Sequence, residues 1–189
     1  MIHGVLIFNT SGVPRLTKFY SPVQQSVQTL IQKIFSLISS RPAGLCNFLD
    51  APELEEFLGS QSEEGDRWRV VYRAYATLYF VFVVDAAESE LGILDLIQVF
   101  VESLDRAFEN VCELDLVHHI LSEIVQGGLV LETNIDEIDD CVQSMAKLRK
   151  ESFASANLLS LGGGLAPRNG SLKTPLGWLT GKLTGVGAR

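Results

Sequence analysis

The sequence predicts an α+β domain, an antiparallel sheet with helices packed on it. Three observations carry that expectation. Two short β-rich runs at the start are joined by a tight Gly/Pro turn, residues 78–84 are almost wholly apolar, and the second half holds three stretches with apolar residues at helical spacing. Strands gathered early and helices gathered late are the order of an α+β fold, not of alternating βαβ units.

The elements follow in order. Residues 1–9 are apolar and β-rich, Thr10-Ser11-Gly12-Val13-Pro14 reads as a turn, and residues 15–20 mix polar and apolar side chains as a half-buried strand does. Ser21-Pro22 reads as an N-cap followed by proline at the first helical position. Val23, Val27, Leu30, Ile31, Ile34, Phe35 and Ile38 then recur at helical spacing until Arg41-Pro42-Ala43-Gly44 ends the helix. Residues 45–49 suit a short strand, and the acidic residues 50–66, with Gly59 and Gly65, read as a solvated loop. Residues 68–75 alternate, and residues 78–84 suit a strand covered on both faces. Leu91, Leu94, Ile97, Val101, Leu104 and Phe108 trace a long amphipathic helix, and residues 114–125 a shorter one stopped by Gly127-Gly128. Asn134 caps a third helix, with Ile135, Ile138, Val142, Met145 and Leu148 on one face. The domain is therefore expected over residues 1–151, and residues 152–189, Gly-rich and without period, as a mostly disordered tail.

Charge narrows the function. The chain of 189 residues has a net charge of -8. The segment after Glu151 carries Arg168, Lys173, Lys182 and Arg189 and no acid, so a +4 tail follows a -12 body. A nucleic-acid partner is not expected, since phosphate binding needs a basic footprint. Cys46, Cys112 and Cys141 are odd in number and widely spaced, which fits reduced, cytosolic thiols rather than disulfides or zinc. The apolar start is too short for a signal-peptide core, and no apolar run reaches the ~20 residues needed to span a bilayer. Membrane association is expected to be peripheral.

Catalytic chemistry is sparse, and no enzyme is expected. His118-His119 are neighbours about 100° apart on a helix, poorly placed to share a metal. Cys112, Asp115 and His118 mimic a nucleophile, acid and base but lack a flanking signature, and buried cysteine is commonly a small hydrophobe. Gly162-Gly163-Gly164 lacks the lysine and spacing of a phosphate loop. No cofactor or metal is expected.

Three stretches carry a resemblance. Met1-Ile2 through Leu6-Ile7 and Asn9, then Gly12 and Arg15-Leu16-x-Lys18-Phe19-Tyr20, is one; Tyr72-Arg73-x-Tyr75-Ala76-x-Leu78-Tyr79-Phe80 is the second. The third is Phe108-x-Asn110-Val111-Cys112-Glu113-Leu114-Asp115-Leu116. In that order they resemble the sigma (small) subunits of clathrin-adaptor-type complexes. Residues 89–102 and Gly127-Gly128-x-Val130-Leu131-Glu132-Thr133-Asn134 are most similar to adaptor protein complex 3. The resemblance implies a longin-like (SNARE-like) domain, a five-stranded antiparallel sheet flanked by helices. It implies a heterotetramer with large delta-type, beta-type and medium (mu) subunits, peripheral on Golgi, endosomal and cytoplasmic vesicle membranes and serving transport to vacuole, lysosome or related organelles.

It also implies a binding site for acidic dileucine sorting signals of transmembrane cargo. Arg15 would meet the acidic residue of the signal. Tyr75, Ala76, Leu78, Val101, Asn110, Val111 and Leu116 match positions in or around the leucine pocket. An alternative is a purely structural subunit that makes no cargo contact of its own. The sequence departs from the family pattern twice. The loop between Leu49 and Trp68 is long, and about six residues usual after Glu-Leu-Asp-Leu are missing, a loss of ~9 Å of helix.

Overall fold

The computed structural model describes residues 1–42, 45–59, 67–108 and 114–160. The chain divides into two units, Met1–Lys147 and Leu148–Arg189, and the sheet lies in the first. Strands β1 (Ile2–Asn9), β2 (Pro14–Phe19), β3 (Phe48–Asp50), β4 (Arg69–Tyr75) and β5 (Leu78–Val84) form one sheet in the order β2-β1-β5-β4-β3. Every pairing is antiparallel. The helices are α1 (Val27–Ser39), a single turn α2 (Glu55–Leu58), α3 (Glu90–Phe108), α4 (Leu114–Ile124) and α5 (Ile135–Ser160). A two-stranded hairpin of β6 (Val125–Gln126) and β7 (Leu129–Val130) joins α4 to α5. This is the five-stranded, helix-flanked sheet of the longin-like fold.

Both faces of the sheet are covered, which is why its central strands read as continuous apolar runs. Phe80, Phe82 and Val84 of β5 pack with Ile93, Ile97 and Phe100 of α3 and with Ile120, Leu121 and Ile124 of α4. Val81 and Val83, pointing the other way, pack with Leu30, Ile31, Ile34 and Ile38 of α1. Lys18 and Tyr20 fasten the β2 edge to α4 and to the β6 strand that follows it: the Lys18 ammonium donates to Ser122 Oγ at 2.8 Å and the Tyr20 hydroxyl to the Val125 carbonyl at 3.2 Å. Burial drives the Tyr20 phenol up to about 12.

Two turns set how the strands return. Asn9 Oδ1 accepts the backbone N–H groups of Ser11 and Val13, an Asx-type bridge that closes the β1–β2 turn. Gly128 has a φ of 81°, its carbonyl accepts the N–H of Ile2, and a Cβ there would collide with the Ile2 carbonyl. Only glycine suits that approach.

Several expectations are corrected. Helix α1 begins at Val27, not at Pro22, because the intervening chain is held elsewhere: Ser21 Oγ bonds His3 Nδ1 at 2.6 Å and the Gln24 N–H donates to the Phe57 carbonyl. The acidic stretch expected as a loop forms a 3-10 turn (Pro52–Leu54) and α2, and buries Ala51, Leu54 and Phe57 against the α1 core. The stripe expected on α3 holds in its middle, where Ile97 and Leu104 are buried and Leu94 and Val101 pack half-buried on the same core, and fails at its ends. Leu91 and Phe108 are exposed, and the buried line runs Ile93, Leu96, Ile97, Phe100, Ser103, Leu104 and Ala107. On α5, Ile138 and Val142 are buried but Met145 is exposed. That helix continues to Ser160, so the segment expected as a disordered tail from residue 152 begins as helix. The rest of that tail, including the glycine triplet, lies outside the described residues. Among the described residues no helix is long and apolar enough to cross a membrane.

Candidate functional site

Four of the site residues read from the sequence pack against one core. Tyr75, Leu78, Val101 and Leu116 are all half-buried and all pack on the rim of the same core, that of the α3/α4 face. They come from β4, β5, α3 and α4, so no local pattern joins them. The β4–β5 hairpin brings Tyr75 opposite Leu78. Helix α3 crosses behind and presents Val101 beside the buried Phe100, which meets Phe80 edge-on at 5.8 Å. Leu116 lies in the first turn of α4, so the Leu114-Asp115-Leu116 segment belongs to that helix.

Ala76 occupies the two-residue turn between β4 and β5, exposed, with a φ of 50°. The neighbouring Thr77 carbonyl accepts the N–H of Thr10, which ties this turn to the β1–β2 turn. Arg15 sits in β2 at the bulge between Leu16, opposite Ile7, and Pro14, opposite Phe8. It is exposed and without an ion pair or hydrogen bond among the described residues. Since Asn9 of β1 pairs with Leu78, Arg15 is two strand spacings, about 10 Å, from the apolar rim. Asn110 and Val111 lie outside the described residues, as does Cys112.

Two side chains that the sequence reading missed fix the rim. The Tyr75 hydroxyl donates to Gln98 Oε1 at 2.6 Å, and Arg73 donates to the same oxygen at 3.3 Å. The Gln98 amide N–H donates in turn to Glu102. The Arg73 guanidinium lies 5.3 Å from the Tyr75 ring centre, within cation–π range. Burial pushes the Tyr75 phenol up, opposed by Arg73 and reinforced by Glu102, so it stays a neutral donor. The signal was present but weak: Gln98 precedes Val101 by one helical turn, the spacing of neighbours on a helix face.

At the opposite end, the Met1 ammonium bonds Asp85 at 2.6 Å and Glu88 at 2.8 Å, and His3 Nε2 lies 3.4 Å from Asp85. Burial would raise the Asp85 carboxyl, but the bonds from Met1 and His3 outweigh it and hold it below the usual range. Burial lowers the His3 imidazole despite Asp85. His118 and His119 are exposed, and no metal-ligating group forms among the described residues.

The chain and its fold are matched elsewhere. Residues 1–149 match the family model described as clathrin adaptor complex small chain. The chain belongs to that family. It is 54% identical over 161 residues to the AP-3 complex subunit sigma of Schizosaccharomyces pombe, covering 82% of this chain and 92% of the relative. Against AP-3 complex subunit sigma-2 of Homo sapiens the identity is 49% over 157 residues, covering 79% and 77%. A chain in a homology model of the full-length AP-3 complex in a stretched open conformation superposes with a TM-score of 0.58 at 44% identity, covering 82% of this chain and 99% of that one. The expected resemblance to adaptor sigma subunits, with AP-3 among them, is met. A small chain of this family is a structural piece of transport machinery, not an enzyme.

Proposed function

We propose that this chain is the sigma subunit of an AP-3-type heterotetramer in vesicle-mediated protein transport, and that its apolar rim takes the leucine pair of acidic dileucine signals. The partners are the large delta-type, beta-type and medium subunits. The complex works peripherally on Golgi, endosomal and vesicle membranes and delivers cargo to the vacuole, lysosome or related organelles. The observation that supports the cargo reading is that Tyr75, Leu78, Val101 and Leu116 are all half-buried against one core, with Tyr75 opposite Leu78 and hydrogen-bonded to Gln98, one turn before Val101.

Magnitudes say which contact leads. Burying two leucines gives ~3–6 kcal/mol. An exposed ion pair at Arg15 adds ~0.2–1 kcal/mol. Ordering the peptide costs several kcal/mol. The net is weak, on the order of micromolar. Weak single contacts suit a coat, where many sites on one membrane act together.

The test is a titration of an acidic dileucine peptide into the purified complex carrying wild-type or Val101→Asp chain. A carboxylate in the rim should weaken binding at least about tenfold, a loss of ~1.4 kcal/mol. Equal affinity would reject the pocket and leave the purely structural subunit as the better reading.

A further inference from the structure

The first half of α3 borders a second concavity, distinct from the cargo rim. It is an open groove of about 340 Å³. Gly92, Leu96 and Val99 of α3 line it, Val130 of β7 faces them, and Glu88 and Asp95 stand at its rim. Next in sequence to the lining residues Gly92 and Val130 stand some of the most exposed large apolar side chains of the described residues: Leu91 at 68%, Leu129 at 60% and Leu131 at 57%.

Gly92 gives the groove its meaning. It lies inside the first turns of α3, where glycine costs a helix roughly 0.5–1 kcal/mol against alanine. Nothing among the described residues requires it. A Cβ built there meets only the Ser89 side chain, at 3.6 Å, an ordinary contact. The missing side chain leaves room for something that comes close to the α3 backbone from outside. Small residues let helices approach to ~8–10 Å between axes.

Charge selects the occupant. Asp95 is exposed and makes no ion pair among the described residues, and Glu88 shares the Met1 ammonium. An acidic rim on a chain of net charge -8 repels an anionic lipid surface and a second copy of itself. Apolar walls with carboxylates above them suit an amphipathic helix with cationic flanks. We propose that this groove seats a lysine-bearing amphipathic helix of another subunit of the complex. The inference rests on the reading of this chain as a complex subunit, but not on the dileucine pocket.

The experiment is carboxylate-to-amine cross-linking of the affinity-purified complex with a water-soluble carbodiimide, read by mass spectrometry. Subunit recovery is measured beside it for Gly92→Leu and Asp95→Lys chains. The expected result is a link from Asp95 or Glu88 to a lysine in an amphipathic segment of another subunit. Recovery of that subunit should fall roughly ten- to hundredfold with Gly92→Leu, from overpacking at the contact. The thermal midpoint of the full-length Gly92→Leu chain should not fall, since the added side chain points into open space. Links only to Lys173 or Lys182 of the same chain, links between two copies, no link from either carboxylate, or full recovery with both variants would each overturn the proposal. An unchanged peptide affinity for Val101→Asp would sink the cargo reading and leave the groove standing.

Discussion

The two halves of α3 present the same kind of side chain to different ends. The first half, from Glu90 to Val99, borders a groove left open by a glycine and flanked by Glu88 and Asp95. The second half, from Phe100 to Phe108, borders a rim closed by Tyr75 and Leu78, which Gln98 at the junction of the two halves pins. Both halves bury an apolar line against the sheet, so hydrophobicity alone does not separate them. What separates them is what stands across from the helix: an exposed apolar hairpin strand in one case, a hydrogen-bonded tyrosine in the other. The lesson is that a helix buried on one face has a second face whose role is set by its neighbours.

The largest effect should come from removing what the halves share. Phe100 is fully buried at the middle of α3. Phe100→Ala should cost about 3–5 kcal/mol of stability by cavity formation, seen as a lower denaturation midpoint. It should weaken subunit recovery and peptide binding together; damage to only one of them would break the view of α3 as one rigid support.

Arg15→Ala sharpens the comparison from the cargo side. Losing an exposed charge should reduce affinity for an acidic dileucine peptide by no more than about fivefold, or ~0.2–1 kcal/mol, with recovery of the complex unchanged. The loss should shrink further at high salt, where surface charges are screened.

The smallest effect is a pH dependence at the groove end. His3 is held neutral by the fold, with its pKa below the ordinary 6.5. Its contribution is complete above that value and declines as the pH falls below it, because the unfolded chain takes up the proton first. Asp85, also depressed, contributes above its unfolded value and loses that contribution only as the pH falls below about 4. The thermal midpoint of the full chain should therefore drop slightly between pH 7.5 and 5.5, and His3→Gln should flatten that slope. An unchanged slope in the variant would exclude His3 as its source.

Much of the fold was legible because its signals are local. The span of β5 from Leu78 to Val84 and the Asn134 cap, whose Oδ1 accepts the Asp136 N–H, agree with the sequence reading. The start of α1 was misread because a cap signal at Ser21-Pro22 competes with tertiary bonds from His3 and Phe57 that no local pattern reveals. The two ends of the α3 stripe, Leu91 and Phe108, were misread for a different reason. Leu91, Ile93, Leu94, Leu96, Ile97, Val99, Phe100 and Val101 are apolar nearly all the way round, so periodicity marks a helix but not which stripe is covered. The proposed role of the apolar rim was legible only through family resemblance, since Leu78 or Val101 alone is what any core contains.

By itself the sequence determined the kinds and order of the elements, the acidic balance of the body and the family to which the chain belongs. Those properties are written in neighbours along the chain, through period, capping residues and motif. Tertiary structure alone decided that Gln98 clasps Tyr75, that residues 52–58 fold back onto the α1 core, and that Gly92 opens onto a groove. Each depends on which distant segment arrives opposite, and packing, unlike periodicity, is settled between surfaces rather than along a strand or helix.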